Sequence, residues 1–190
     1  MNRAEAWALV NEYTQNPRLV GHMLAVEACM RYYAAKYGED AETWGLIGLL
    51  HDFDYERWPE PPDHPLQGER ILAERGVPED IRYTICSHAN YLQDRYPRTS
   101  LRDKVLYAVD ELSGLVVATA LVRPSKSIFD VDVDAVKKKM KDKRFAAGVN
   151  RDEVVEGAAE LGVEMDQHIG NVIEALKIAA DDLGLRGNPQ

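Results

Sequence analysis

Four histidines and two aspartates follow one another in the order His22, His51-Asp52, His64, His88, Asp110. Imidazole nitrogens and carboxylate oxygens are both metal ligands. Six of them brought together are what a two-metal site requires. The chain has five histidines, so only His168 stands outside this order. His51-Asp52 is the densest part of it. The pair follows the most apolar stretch of the chain, Trp44 to Leu50, and precedes a loop, which places it in the last turn of a helix. Carbonyl ends there carry partial negative charge and favour a nearby cation. Adjacent helical residues point about 100° apart, so the two grip one metal only where the helix ends. Asp52 has a further capacity that histidine lacks, because each of its oxygens can serve a different metal.

Taken singly, most of these residues have plainer readings. His22 and His88 read as core histidines, and His64 as a helix-start residue before Pro65. Asp110 lies among Leu106, Val109, Leu112 and Val117, and reads as a carboxylate paired with an arginine or lysine, since an unpaired buried charge is costly. The metal reading rests on the six in order, each on an apolar helix or at its end.

The elements that must position them are helices throughout. Asn2 with Glu5 opens a helix over 2–14. Asn16-Pro17 opens a second, ending near Gly38, with His22 on the stripe Leu19, Val26, Met30 and Tyr33. Asp40 or Glu42 opens a third, apolar nearly all round and ending at His51. The run Trp58 to Asp63 is a loop, His64-Pro65 starts a fourth helix to Gly76, and Pro78 starts a fifth carrying His88. Ser100 caps a long helix to about Val122 that contains Asp110. Ile128 to Val133 alternates apolar and acidic residues and suggests an isolated extended piece. A basic helix over 134–144, a helix from Asn150 to Gly162 and a last helix from Met165 to about Gly184 follow. The expected fold class is all-α, a single helical bundle. Arg123-Pro124-Ser125 is the best place to divide residues 1–123, which bear the motif, from a C-terminal helical extension over 124–190.

Composition narrows the function. With 190 residues, 45% hydrophobic and 29% charged, the chain reads as an ordinary globular protein with one core. No apolar run is long enough to span a membrane. Glu5 interrupts the place where a signal peptide would be apolar, and Cys29 and Cys86 read as small core residues, so a reducing cytoplasm is expected. The net charge of −9 argues against a nucleic-acid module or an anionic membrane as partner. A phosphorylated substrate stays open, because bound cations invert the local field.

The ordered set resembles the signature of the HD-domain superfamily of metal-dependent hydrolases: His, then His-Asp, then a distant Asp, all on helices. His22, His51, Asp52 and Asp110 match it. His64 and His88 match the two histidines that its binuclear branch adds. The resemblance covers roughly residues 15–120. It implies one or two divalent ions (iron, manganese, cobalt, zinc or magnesium), the first held by His22, His51, Asp52 and Asp110 and the second by His64 and His88 with Asp52 bridging. It further implies hydrolysis of a small phosphate ester by metal-activated water, with Asp52 central. Two alternatives remain: a di-iron oxygenase built on the same ligands, and a non-catalytic or regulatory metal-binding domain. The chain departs from several branches just after the pair, where Phe53-Asp54-Tyr55-Glu56 stands in place of a segment with a substrate-contacting lysine. Phosphate contacts must then come from elsewhere. Arg18 lies one turn before His22, and Lys126 is in a loop; both have a solvated-surface alternative. Asp54 is a candidate outer-shell partner or general acid, the alternative being a solvated loop carboxylate. Loops at 54–63, 91–99 and 123–130 are the expected recognition loops. The basic run Lys137 to Arg144 reads as a solvated face, and His168 as a structural or surface residue.

Overall fold

The computed structural model describes residues 1–187. Six of the nine described α-helices begin where a polar side chain satisfies the free N–H groups of a first turn. Asn2 and Glu5 form a reciprocal cap on α1 (Arg3–Tyr13), and Asn16 caps α2 (Pro17–Tyr37) with Pro17 in the first turn. Asp40 caps α3 (Ala41–Leu50). After α4 (Asp63–Glu74) and α5 (Glu79–Ser87), Ser100 and Asp103 cap α6 (Leu101–Leu121) reciprocally. Asp132 and Asn150 cap α7 (Val133–Lys141) and α8 (Arg151–Leu161), and α9 (Met165–Ile178) is the last helix. Gly38 and Gly162 end α2 and α8 in the left-handed conformation. The architecture is all-α, as expected, with no strand among the described residues. No described helix is long and apolar enough to cross a membrane.

Two differences from the sequence reading have local causes. Ile128–Asp130 is a single 3₁₀ turn capped by the Ser127 hydroxyl, not an extended piece. Its one hydrogen bond to a distant segment runs from Ile128 N–H to Leu185 C=O, so there is no ladder. The last helix stops at Ile178, earlier than the apolar pattern suggests. The chain then turns so that Ala180 and Leu185 join the core.

The two 21-residue helices, α2 and α6, form the centre of the bundle. α3 packs along α2, α8 along α6, and α9 touches both. The core they enclose includes Val26, Met30, Tyr33, Leu49, Leu112, Val116, Val172 and Leu176. The approach of α3 to α2 requires Gly48. A Cβ there would lie 2.8 Å from the Glu27 nitrogen and the Val26 carbonyl oxygen, both backbone atoms. Gly157 plays the same part between α8 and α6, against the Ala108 Cα.

His168 is part of this scaffold. It is fully buried, its Nε2–H donates to the Ala108 carbonyl of α6 at 2.8 Å, and its Nδ1 accepts from the Tyr33 hydroxyl of α2 at 2.6 Å. Asn171 donates to the same Tyr33 oxygen. Neutral imidazole satisfies every partner, and burial, partly offset by the Ala108 carbonyl, holds its pKa below the ordinary 6.5.

Two outcomes follow for stability. Gly48→Ala is expected to destabilise the fold by about 1–3 kcal/mol through overpacking. Gly21→Ala, where nothing lies within 4 Å of the added carbon, should be neutral or raise stability by up to about 1 kcal/mol. Paired thermal melts read both. Because the unfolded chain binds a proton at His168 before the folded one does, stability is expected to fall as pH drops below about 6.5. Urea titrations of metal-stripped protein should show a smaller acid loss for His168→Gln than for the unaltered chain.

Candidate metal centre

Each of the six residues reaches one small volume from a different part of the bundle. His22 comes from the second turn of α2 and Asp110 from the middle of α6, and the packing of these helices brings His22 Nε2 to 3.0 Å from Asp110 Oδ1. His51 is the C-cap of α3 and His88 the C-cap of α5. These two use the same device. The Nδ1–H of each donates to the carbonyl three residues back, His51 to Gly48 at 2.8 Å and His88 to Ile85 at 2.5 Å. A helix's last carbonyls lack intrahelical partners. Satisfying one of them from Nδ1 fixes the tautomer and leaves the Nε2 lone pair pointing away from the helix. His64 is held differently. The proline after it disfavours helical backbone, and its ψ of 136° sets it apart from the rest of α4. Its Nδ1–H donates to Asp54 Oδ1 at 2.8 Å.

The four Nε2 atoms converge on Asp52. His22 Nε2 is 3.2 Å from His51 Nε2 and 3.7 Å from Asp52 Oδ2. His64 Nε2 is 3.2 Å from His88 Nε2 and 3.2 Å from Asp52 Oδ1, and His88 is 3.5 Å from that oxygen. Two groups are therefore spaced to hold an ion: His22, His51 and Asp52, with Asp110 beside them, and Asp52, His64 and His88. Nitrogen and oxygen donors in this number suit a divalent metal. The crowding fits one as well, because lone pairs 3.2 Å apart repel unless a positive charge lies between them.

The electrostatics carry the same demand. Burial disfavours charge on His51, yet the carboxylates of Asp52 and Asp110 outweigh it and raise its pKa to about 9. Burial is likewise outweighed at His64, where Asp52 and Asp54 raise the value to about 10. His88, buried and beside His64, stays below its ordinary value despite Asp52. Asp52 and Asp110 remain well below the usual carboxylate range against the effect of burial, held there by the facing imidazoles. Protons and metal ions compete for the same Nε2 lone pairs, so the pull of the two aspartates on one is a pull on the other.

The centre forms the floor of an open cleft of about 300 Å³. Tyr55 and Tyr91 stand at its mouth, from two of the three expected recognition loops; no residue of 123–130 lines it. The Tyr55 ring packs edge-on against His64, and the Tyr91 hydroxyl donates to the His64 carbonyl. Glu111, Glu153 and Asn90 also line the cleft. Asn150 positions both glutamates, its backbone N–H donating to Glu111 and its side-chain amide to Glu153. Burial, then the Asp110 charge, pushes the Glu111 carboxyl up to about 7.

Some sequence expectations are not met in place. Asp54 is neither solvated nor open to the cleft: it is 1% exposed behind His64, and its second oxygen accepts the Gly68 N–H at 2.7 Å. Arg18 is exposed and does not line the cleft; it lines a neighbouring, mostly apolar cavity with Gly21, Val117 and Leu185, and His22 lies between the two, lining both. Lys126 is in a turn with φ 53° and does not line the cleft. The basic segment is committed elsewhere, Lys137 to Asp166 and Lys139 to the Phe145 ring. Sequence reasoning did not single out Glu111, Glu153, Asn90, Tyr55 or Tyr91. Only Glu111, next to Asp110, and Tyr55, three residues after Asp52, had a signal, and it was position alone.

The HD-domain family model matches residues 19–115, half of the chain and the span that holds all six converging residues. The chain belongs to the HD-domain family. It matches no curated protein and no solved structure. HD domains bind divalent metals and form a superfamily of metal-dependent hydrolases, and this HD domain has side chains grouped to hold such an ion.

Asp54 gives the most direct test of how the centre is held. Its loss should leave His64 without an orienting partner. Asp54→Ala is expected to weaken metal binding by about 10–100-fold, with Asp54→Asn intermediate. Calorimetric titration with zinc or manganese reads this without any assay of turnover.

Proposed function

We propose that this HD domain is a phosphohydrolase acting on small phosphate esters with two divalent ions. In this reading His22, His51, Asp52 and Asp110 hold one ion, and His64 and His88 hold the other with Asp52 shared. The observation that carries it is the central place of Asp52, whose Oδ2 faces His22 while its Oδ1 lies between His51 on one side and His64 and His88 on the other, at the floor of an open cleft. When bound, such ions supply an activated water and neutralise charge growing on the phosphoryl group.

The rest is the work of the chain. His51 and His88 are locked by helix-end carbonyls, so their Nε2 atoms need no reorientation. Asp54 acts as a positioning residue through His64 and takes no part as a general acid, both of its oxygens being engaged. Tyr91 ties the loop over the cleft to the backbone of His64. Arg18 and Lys126 contribute no phosphate contact in this reading. Residues 124–187 serve as an extension that completes the core and lines the cleft through Glu153 of α8.

The reading is tested by purifying the protein from metal-replete cells, counting metals per chain and assaying p-nitrophenyl phosphate, nucleotides and cyclic nucleotides. Two metals are expected, with phosphate release that His51→Ala and Asp52→Ala lower by at least about a hundredfold. Chelation should lower the melting temperature, since an ion bound only by the folded state stabilises it. Two irons without phosphate release would favour oxygenase chemistry instead, and a chain that binds no metal would sink the proposal.

A further inference from the structure

The cleft contains no lysine or arginine in its lining. Ions on its floor can accept a phosphoryl group, but nothing cationic awaits the rest of the molecule. Two carboxylates do. Glu111 and Glu153 stand on one wall, beyond the six converging residues. Among the described residues neither is paired with a lysine or arginine. Their hydrogen bonds come from the neutral groups of Asn150. Arg98, which reaches Asn90, is already bound to Glu160 and to the Ser87 carbonyl. Tyr55 and Tyr91 line the same cleft and leave 38% and 48% of their surface exposed. Half-buried carboxylates and exposed aromatic rings in one cleft are a setting for an organic cation, which gains both charge pairing and attraction to the ring faces.

From this lining we infer that the substrate is a small phosphate ester whose alcohol portion carries an ammonium group, received by Glu111 and Glu153 with Tyr55 and Tyr91 in the same cleft. The inference rests on the phosphohydrolase reading and deepens it. It also gives the missing basic residue after Asp54 a physical sense: a lysine there would repel the cation that the glutamates attract.

Two esters of equal length separate the possibilities, aminoethyl phosphate and its uncharged isostere propyl phosphate. With metal-loaded protein, kcat/KM is expected to favour aminoethyl phosphate by about tenfold or more, the size of one charged contact. It should also give the larger rise in melting temperature at equal concentration. Glu153→Gln and Glu111→Gln should each reduce that ratio towards one. Equal turnover and equal protection by the two esters would overturn the inference and leave the hydrolase reading standing. A third metal that disappears in Glu153→Gln would also overturn it, because the glutamates would then be ligands. Failure to release phosphate from any ester, p-nitrophenyl phosphate included, would overturn both.

Discussion

The crowding of lone pairs around Asp52 is the constraint on which everything else rests. Four imidazole nitrogens and two carboxylates meet where few of them have a donor to face. Such a cluster is unfavourable without positive charge, and burial worsens it. The fold must hold it together regardless of what fills it. This explains why the ligating side chains are fixed from behind. His51 and His88 are tied to their own helices, and His64 to Asp54, itself tied to the Gly68 backbone.

The bundle supplies the rest of that restraint. α6 carries Asp110 at its middle, α2 carries His22 in its second turn, and α3 is pressed onto α2 through Gly48. Gly48 has two roles. Its missing side chain permits the helix contact, and its carbonyl orients His51. Packing and ligand geometry are therefore one problem at this residue. His168, whose α6 partner Ala108 is two residues from Asp110, joins α2, α6 and α9 through neutral hydrogen bonds. The same residue type thus serves two opposite purposes, set by whether its ring nitrogens face matched partners or one another.

Much of this was legible in the chain. The six-residue order, the all-α class and the starts of the helices all follow from local rules of capping and periodicity. Those rules involve residues three or four apart. What stayed hidden depends on where distant segments meet. Asp54 looks like a loop carboxylate until the chain folds it beneath His64 and Gly68. Glu153 lies 43 residues beyond Asp110 and shares its wall only because α8 lies along α6 through Gly157. Arg18 shows the limit of spacing alone. One turn of helix separates it from His22 and the two line one cavity, but only His22 also lines the cleft. The alternation at 128–133 failed because a strand needs a partner, and Ile128 has one hydrogen bond with Leu185 in place of a ladder.

The ending of α3 and α5 in metal-facing histidines has a consequence for the order of events. Both helices aim the negative ends of their dipoles at the cleft, and Asp52, Asp110, Glu111 and Glu153 add carboxylates to the same space. An empty cleft of this kind rejects anions. Divalent ions would reverse its polarity, so that under the proposed function they would admit a phosphorylated molecule as well as activate it. Metal supply would then act on substrate entry itself, and not on turnover alone.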